Sequence, residues 1–445
     1  MSGAADVDPR IEGAAAMLRE YGPAGDGTAL TLPAACEASG QNRSKLLRLW
    51  PSMAELNTDL ARYRAMEHDS WHRRILAQPH DAAFAEVVAR AVALDDGGPG
   101  PRSRSVVTSR PSDHPVRRAL TAWTDAWFDT FGCWLDGHLA ATGRRPTDGY
   151  RSRDLAVIVT CMIEGRLQRR LLIADPRTDP WTDRHGALLG QITAEALQVL
   201  TRPGPWSNGA EAGSTGLPPV VVSDAQRAVL SAIVEAQTSR PADDPCQPKQ
   251  VRLVDMARLG RRMGISERGL YAAWPSVSDF NAALFTHLVH GFRALVDRGT
   301  HDQIRHSGET RSLGSLPVRA GFWLAAFRAV ARGQVPCLFA FGYALADPAL
   351  AALVADVRRD WDEARHTMSL GMAHLLRLEE RPNIAPKAST DSTASTYLGV
   401  VQAACLAPGL LDQTVPVDGA DVPLLPLAME ASVFAVVQQM HPPSG

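Results

Sequence analysis

Arg43, Lys45 and Arg48 fall close together, interleaved with Ser44 and preceded by Asn42. These residue types share one chemistry. Guanidinium and ammonium groups donate to phosphate oxygens, an arginine can pair with both O6 and N7 of guanine, and short polar side chains complete contacts to the sugar-phosphate backbone. A second set lies far along the chain: Ser266, Arg268, Gly269, Tyr271 and Ala272. There Arg268 offers the base-reading group, and the Tyr271 phenol can reach base or phosphate. Such groups are useful only on the free face of a rigid element that fits the major groove.

The flanking residues have the pattern of such an element, twice. Gly40-Gln41-Asn42-Arg43-Ser44-Lys45-Leu46-Leu47-Arg48-Leu49-Trp50-Pro51-Ser52 aligns without a gap to Gly264-Ile265-Ser266-Glu267-Arg268-Gly269-Leu270-Tyr271-Ala272-Ala273-Trp274-Pro275-Ser276. The offset is 224 residues (274 minus 50), half of the 445-residue chain. From Trp50 and from Trp274, 5 of 11 residues are identical, where chance gives roughly one. At about 100° per residue, Leu46, Leu49 and Trp50 share one side of a helix, which turns Ser44, Lys45, Leu47 and Arg48 outward. In the second copy Leu270, Ala273 and Trp274 face inward, and Arg268, Gly269, Tyr271 and Ala272 outward. Gly40 and Gly264 suit a turn that needs positive φ, and Asn42 and Ser266 suit N-caps. The helix N-terminus and Arg43 in its first turn both favour phosphate.

Composition narrows what surrounds these helices. With 45% hydrophobic and 21% charged residues the chain is globular, and a net charge of -2 gives no global attraction to nucleic acid, so any binding surface must be local. No apolar run reaches the ~18 residues of a membrane span, and the opening Met-Ser-Gly-Ala-Ala-Asp lacks the basic and apolar regions of a secretory signal. The six cysteines, Cys36, Cys133, Cys161, Cys246, Cys337 and Cys405, form no Cys-x-x-Cys pair and read as buried thiols of a cytoplasmic protein. Glu363 and His366 have a di-metal spacing but lack the second pair, and His287 with His290 lacks a third ligand. With no phosphate loop, nucleophile elbow or zinc motif, the chain is expected to be no enzyme and to hold no metal or cofactor.

Helical periodicity dominates, and no stretch alternates at period two over strand length. A first helix-turn-helix domain is expected over 9–72, a helical C-terminal domain over 73–201, a Pro/Gly-rich linker over 202–222, a second helix-turn-helix domain over 223–292 and a second helical domain over 293–441. Gly97 to Pro115 reads as a flexible joint, and helices are expected near 317–332, 334–346, 348–378, 394–407 and 422–440. Trp123, Trp127, Phe131 and Trp134, with Phe322, Trp323 and Phe327 in the second half, recur at helical spacing. They can line a ligand pocket or simply pack as core.

The second copy, Leu259-Gly260-Arg261-Arg262-Met263-Gly264-Ile265-Ser266…Leu270-Tyr271…Trp274, resembles the TetR family of bacterial repressors. Ala35-Cys36-Glu37-Ala38-Ser39-Gly40…Leu46-Leu47…Trp50 is a weaker version. Ile163-Glu164-Gly165-Arg166-Leu167…Leu171-Leu172…Asp175-Pro176 looks like a core helix of that family's ligand and dimerisation domain. The resemblance implies an all-α fold of two tandem units packed as a pseudo-two-fold dimer, with double-stranded DNA as partner and repression relieved by a small apolar effector. Gln41 stands where the family has an apolar residue, Leu47 where it has a backbone-contacting tyrosine, and Glu267 opposes phosphate at the second helix start. The two helices therefore read different sequences on an imperfect palindrome, or only one still reads. The alternative is a helical sensor or protein-interaction scaffold that no longer binds DNA.

Overall fold

The computed structural model describes residues 8–21, 30–67, 71–93, 114–172, 185–206, 219–238, 254–291 (273 excepted) and 386–440 (418 excepted), with isolated positions such as 104, 107 and 108. It is mostly helical, at 75%. The helices expected near 317–332, 334–346 and 348–378 lie outside the described residues. Among those described, no helix is long and apolar enough to cross a membrane.

Two small heads carry the repeated motif. The first comprises α2 (Leu32–Ser39), α3 (Arg43–Leu49) and α4 (Met53–Met66). The second comprises α11 (Met256–Met263), α12 (Glu267–Tyr271) and α13 (277–291). Between them in sequence come α5 (Trp71–Leu76), α6 (Phe84–Ala93), α7 (Pro115–Ala141), α8 (Ser152–Leu172) and α9 (His185–Val199); α14 (Pro386–Leu406) and α15 (Leu424–Met440) end the described chain.

These longer helices form the central body. In α8 residues 154 to 168 are all buried, including the polar Asp154, Thr160, Glu164, Arg166 and Gln168. It crosses α14, while α7 covers α8 on one side and α9 packs on α6 and α15. The crossing is close because each helix has a glycine there. A Cβ at Gly165 would overlap the Ser395 carbonyl oxygen, and one at Gly399 would overlap the Cys161 carbonyl oxygen. The relation is reciprocal: each glycine meets the residue four positions before the other. These glycines are 234 residues apart (399 minus 165), against 224 for the turn glycines.

The first helix of each copy sits on the other copy. Helix α10 (Asp224–Thr238), just after the linker, packs on α2 and α4, where Val229, Leu230, Ile233 and Val234 join Ala35, Leu46, Trp50, Leu56, Leu60 and Tyr63 in one apolar cluster. Helix α1 (Pro9–Tyr21) instead packs on α11. The contacts thus cross the expected boundaries 9–72 and 223–292. Because the heads are alike in sequence, each offers the other's first helix a matching apolar face, and exchange of identical elements costs little.

Two departures from the sequence reading have simple causes. Two short antiparallel strand pairs occur, β1 (Arg144–Pro146) with the distant β2 (Thr201–Pro203), and the hairpin of β3 (Thr414–Val417) with β4 (Ala420–Pro423). At three or four residues each, they are too short to leave a period-two signal. Arg104, Val107 and Thr108, in the stretch read as a flexible joint, are helical and buried.

Candidate nucleic-acid interface

Both heads are built on the same caps. Gly40 ends α2 at φ 64° and Gly264 ends α11 at φ 67°, a conformation that costs an L-residue about 1–2 kcal/mol. Two residues later the Asn42 side chain accepts the Lys45 N–H at 2.9 Å, and Ser266 Oγ accepts the Gly269 N–H at 3.1 Å. Ser52 and Ser276 then cap the following helices in the same way. Leu46 and Leu270 point inward at 2% and 0% exposure. Trp50 is buried and donates from Nε1 to Asp59, while Trp274, half-buried, meets Phe280 edge-on at 5.0 Å.

The outward residues are as follows. Asn42, Arg43, Ser44, Lys45 and Arg48 are exposed, and Leu47 is half-buried. Helix α3 has no acidic residue in its first turn and carries Arg48 in its last. In the second head Ser266, Arg268 and Ala272 are exposed and Gly269 is half-buried; the side chains of Glu267 and Tyr271 lie outside the described residues. Arg258, Arg261 and Arg262 add exposed cations along α11, of which Arg262 pairs with Glu20 at 2.6 Å. The nearly neutral chain therefore places exposed cations on both heads. Among the described residues, no group of three His, Cys, Asp or Glu side chains is placed to hold a metal ion.

A second candidate site lies inside the body. His72, Arg104, Trp123, Trp127, Glu164 and Gln402 line a cavity beside the glycine crossing, with room for about one water molecule. The Glu164 carboxylate is its hub. It accepts Trp71 Nε1 at 2.9 Å and Gln402 Nε2 at 3.2 Å, and its Oε1 lies 3.1 Å from Arg104 Nη2. Arg104, at 2% exposure, also reaches the Ala65 carbonyl oxygen from Nη1 at 3.4 Å. Among the described residues Arg104 Nε, Trp123 Nε1 and Gln402 Oε1 have no partner. The exposed lining is mostly apolar, with the Glu164 network set into it.

His72 stacks on Trp71 at 3.9 Å between ring centroids and meets Trp123 and Trp127 edge-on. Burial, then the cations of Arg104, Arg74 and Arg73, holds its imidazole well below the ordinary value of 6.5; Glu164 Oε1, 3.5 Å from Nε2, is the nearby acid. Unfolded, His72 takes up a proton near its ordinary value; folded, only at lower pH. Its contribution to stability is therefore complete above that value and drains away as pH falls toward the folded one, by up to about 1.4 kcal/mol per pH unit. Between pH 7.5 and 5 the melting temperature should fall less steeply for His72→Phe than for the unaltered chain. Equal slopes would show that another group governs acid sensitivity.

Of the predicted pocket aromatics, Trp123 and Trp127 line this cavity. Phe131 stacks on Trp127 at 4.7 Å and Trp134 on His138 at 5.4 Å, both as core. Phe322, Trp323 and Phe327 lie outside the described residues. His72, Arg104 and Gln402 escaped the sequence reading, and Glu164 entered it only within the segment 163–176; the one available signal was this carboxylate directly after the largely apolar run 155–163. Of the described cysteines, Cys133 is exposed and Cys36 half-buried, unlike the buried Cys161 and Cys405. Burial pushes the Cys405 thiol up to about 11. No known protein-family model matches the chain, and no curated protein matches it.

Proposed function

We propose that the protein is a sequence-specific DNA-binding transcriptional regulator, a single-chain pseudo-dimer that reads two unlike half-sites. One observation carries this reading. At both repeats a glycine-turned, side-chain-capped helix pair buries its leucine and leaves an arginine, Arg48 or Arg268, on the free face. The reciprocal glycine crossing supports the pseudo-dimer, since residue i meeting j' while j meets i' is the signature of a two-fold interface. Recognition helices so paired stand about 34 Å apart, or a multiple of it, to meet successive major grooves. The near-neutral net charge argues for local contact by the heads over general adhesion to DNA.

Repression relieved by a small effector fits the cavity at the crossing. Its donors without a partner among the described residues, Arg104 Nε and Trp123 Nε1, favour an effector that carries a hydrogen-bond acceptor. With space for about one water, binding has to open the site, and so can bias helix spacing between two states.

The test is selection of genomic DNA fragments by the purified chain, followed by footprinting. Arg48→Ala and Arg268→Ala are each expected to weaken specific binding by about 1–3 kcal/mol and to relax a different half-site. A strictly symmetric palindrome, or no salt-dependent binding at all, would reject the reading.

A further inference from the structure

Each recognition helix is held by a side chain from the opposite half. Arg10, in the first turn of α1, donates from Nη1 to the Gly269 carbonyl oxygen of α12 at 3.0 Å. Its guanidinium carbon stands 4.6 Å above the centroid of the Trp274 ring. Asp8 fixes the same guanidinium, with Oδ1 2.9 Å from Nε and Oδ2 2.5 Å from Nη2, and this hydrogen-bonded pairing raises the Arg10 pKa. At the other end of α1, Glu20 pairs with Arg262 of α11. Midway, Gly13 lets Met263 and Leu259 come close to the helix backbone.

The second exchange has the same design. Gln226, in the first turn of α10, donates from Nε2 to the Leu49 carbonyl oxygen at 2.9 Å, the last residue of α3. Its Oε1 accepts the N–H and hydroxyl of Ser223, at 2.9 and 3.0 Å, so this side chain too is fixed from just upstream. Next to it Arg227 pairs with Glu67, which caps the end of α4. In both directions a first-turn donor, locked by a neighbour two or three residues before it, grips a carbonyl of the other half's recognition helix.

We propose that Arg10 is a positioning residue for α12 and Gln226 for α3, so that the two heads are cross-wired: each half sets the orientation of the other half's reader. Its meaning for recognition rests on the DNA-binding reading above; the cross-support itself does not. One consequence is that neither head is complete within its own half. A disturbance of one half's first helix passes to the distant reader and leaves the near one in place.

Hydrogen exchange on the intact chain, followed by mass spectrometry, tests this without DNA. Arg10→Ala is expected to speed exchange about fivefold in a peptide covering 264–274 and to leave one covering 43–50 unchanged. Gln226→Ala should do the reverse. Should Arg10→Ala fail to fold, Arg10→Lys keeps the charge but cannot grip Asp8 and Gly269 together, and Glu20→Gln loosens the far, exposed end of α1; both should affect only the second head. Loosening of the near head, equal loosening of both, or no change in either overturns the proposal. A chain that shows the crossed pattern yet selects no DNA overturns the proposed function instead.

Discussion

Replacing Glu164 with alanine is expected to destabilise the folded chain by about 3–5 kcal/mol, the cost of stranding a buried cation. Arg104 is 2% exposed and Glu164 5%, so neither charge has water to fall back on. The change also removes the acceptor of Trp71 Nε1 and of Gln402 Nε2, leaving two buried donors unpaired at about 1–3 kcal/mol each. Part of that overlaps with the first cost, since one carboxylate serves all three partners. The urea midpoint, followed by tryptophan fluorescence because Trp71, Trp123 and Trp127 crowd the site, reads the loss. The double variant Glu164→Leu with Arg104→Met should recover most of it, because a buried ion pair exchanged for apolar side chains of like size is often neutral or stabilising. A loss below about 1 kcal/mol for the single variant would mean that the pair behaves as if solvated, and the cavity would lose its claim to selective binding.

That network is one-sided. In the register of the glycine crossing Glu164 corresponds to Leu398 (both 234 apart), which is buried and apolar. Position 398 therefore offers no carboxylate to mirror Glu164.

Much of the local structure was legible in the residues. The repeated turns announced themselves because glycine at positive φ and a capping side chain two residues later leave fixed spacings. The long helices showed in their apolar periodicity, and α7 presents the buried stripe expected of Trp123, Trp127, Phe131 and Trp134. What periodicity cannot say is which partner an apolar face meets. Ile11, Ala14, Ala15 and Leu18 mark a buried side of α1, but that side fits either head, and only the packing reveals the exchange. Arg104 was hidden differently: its Gly-, Pro- and Ser-rich neighbourhood reads as a linker, while its burial depends on Glu164, 60 residues away (164 minus 104). Glu164 was the better clue, since a carboxylate amid apolar residues needs a buried counter-charge.

Gly165→Leu is expected to cost about 3 kcal/mol or more, at the upper end of overpacking, because the obstacle is a backbone carbonyl and not a side chain that can swing aside. The reciprocal geometry makes a sharper prediction with alanine. Gly→Ala in a helix interior is worth about 1 kcal/mol of stabilisation by propensity, yet at either Gly165 or Gly399 a methyl group meets the oxygen of Ser395 or Cys161 and should reverse that sign. Once one alanine has pushed α8 and α14 apart, the second finds the space already open. The double variant should therefore cost less than the two singles together, by about 1 kcal/mol. Additivity within about 0.5 kcal/mol would show that the two contacts yield independently, and that the halves do not meet as one rigid crossing. If the coupling is found, it is large enough to act on the heads. A strain that separates α8 from α14 would load both halves, and α1 and α10, each packed on the other half's head, would share it.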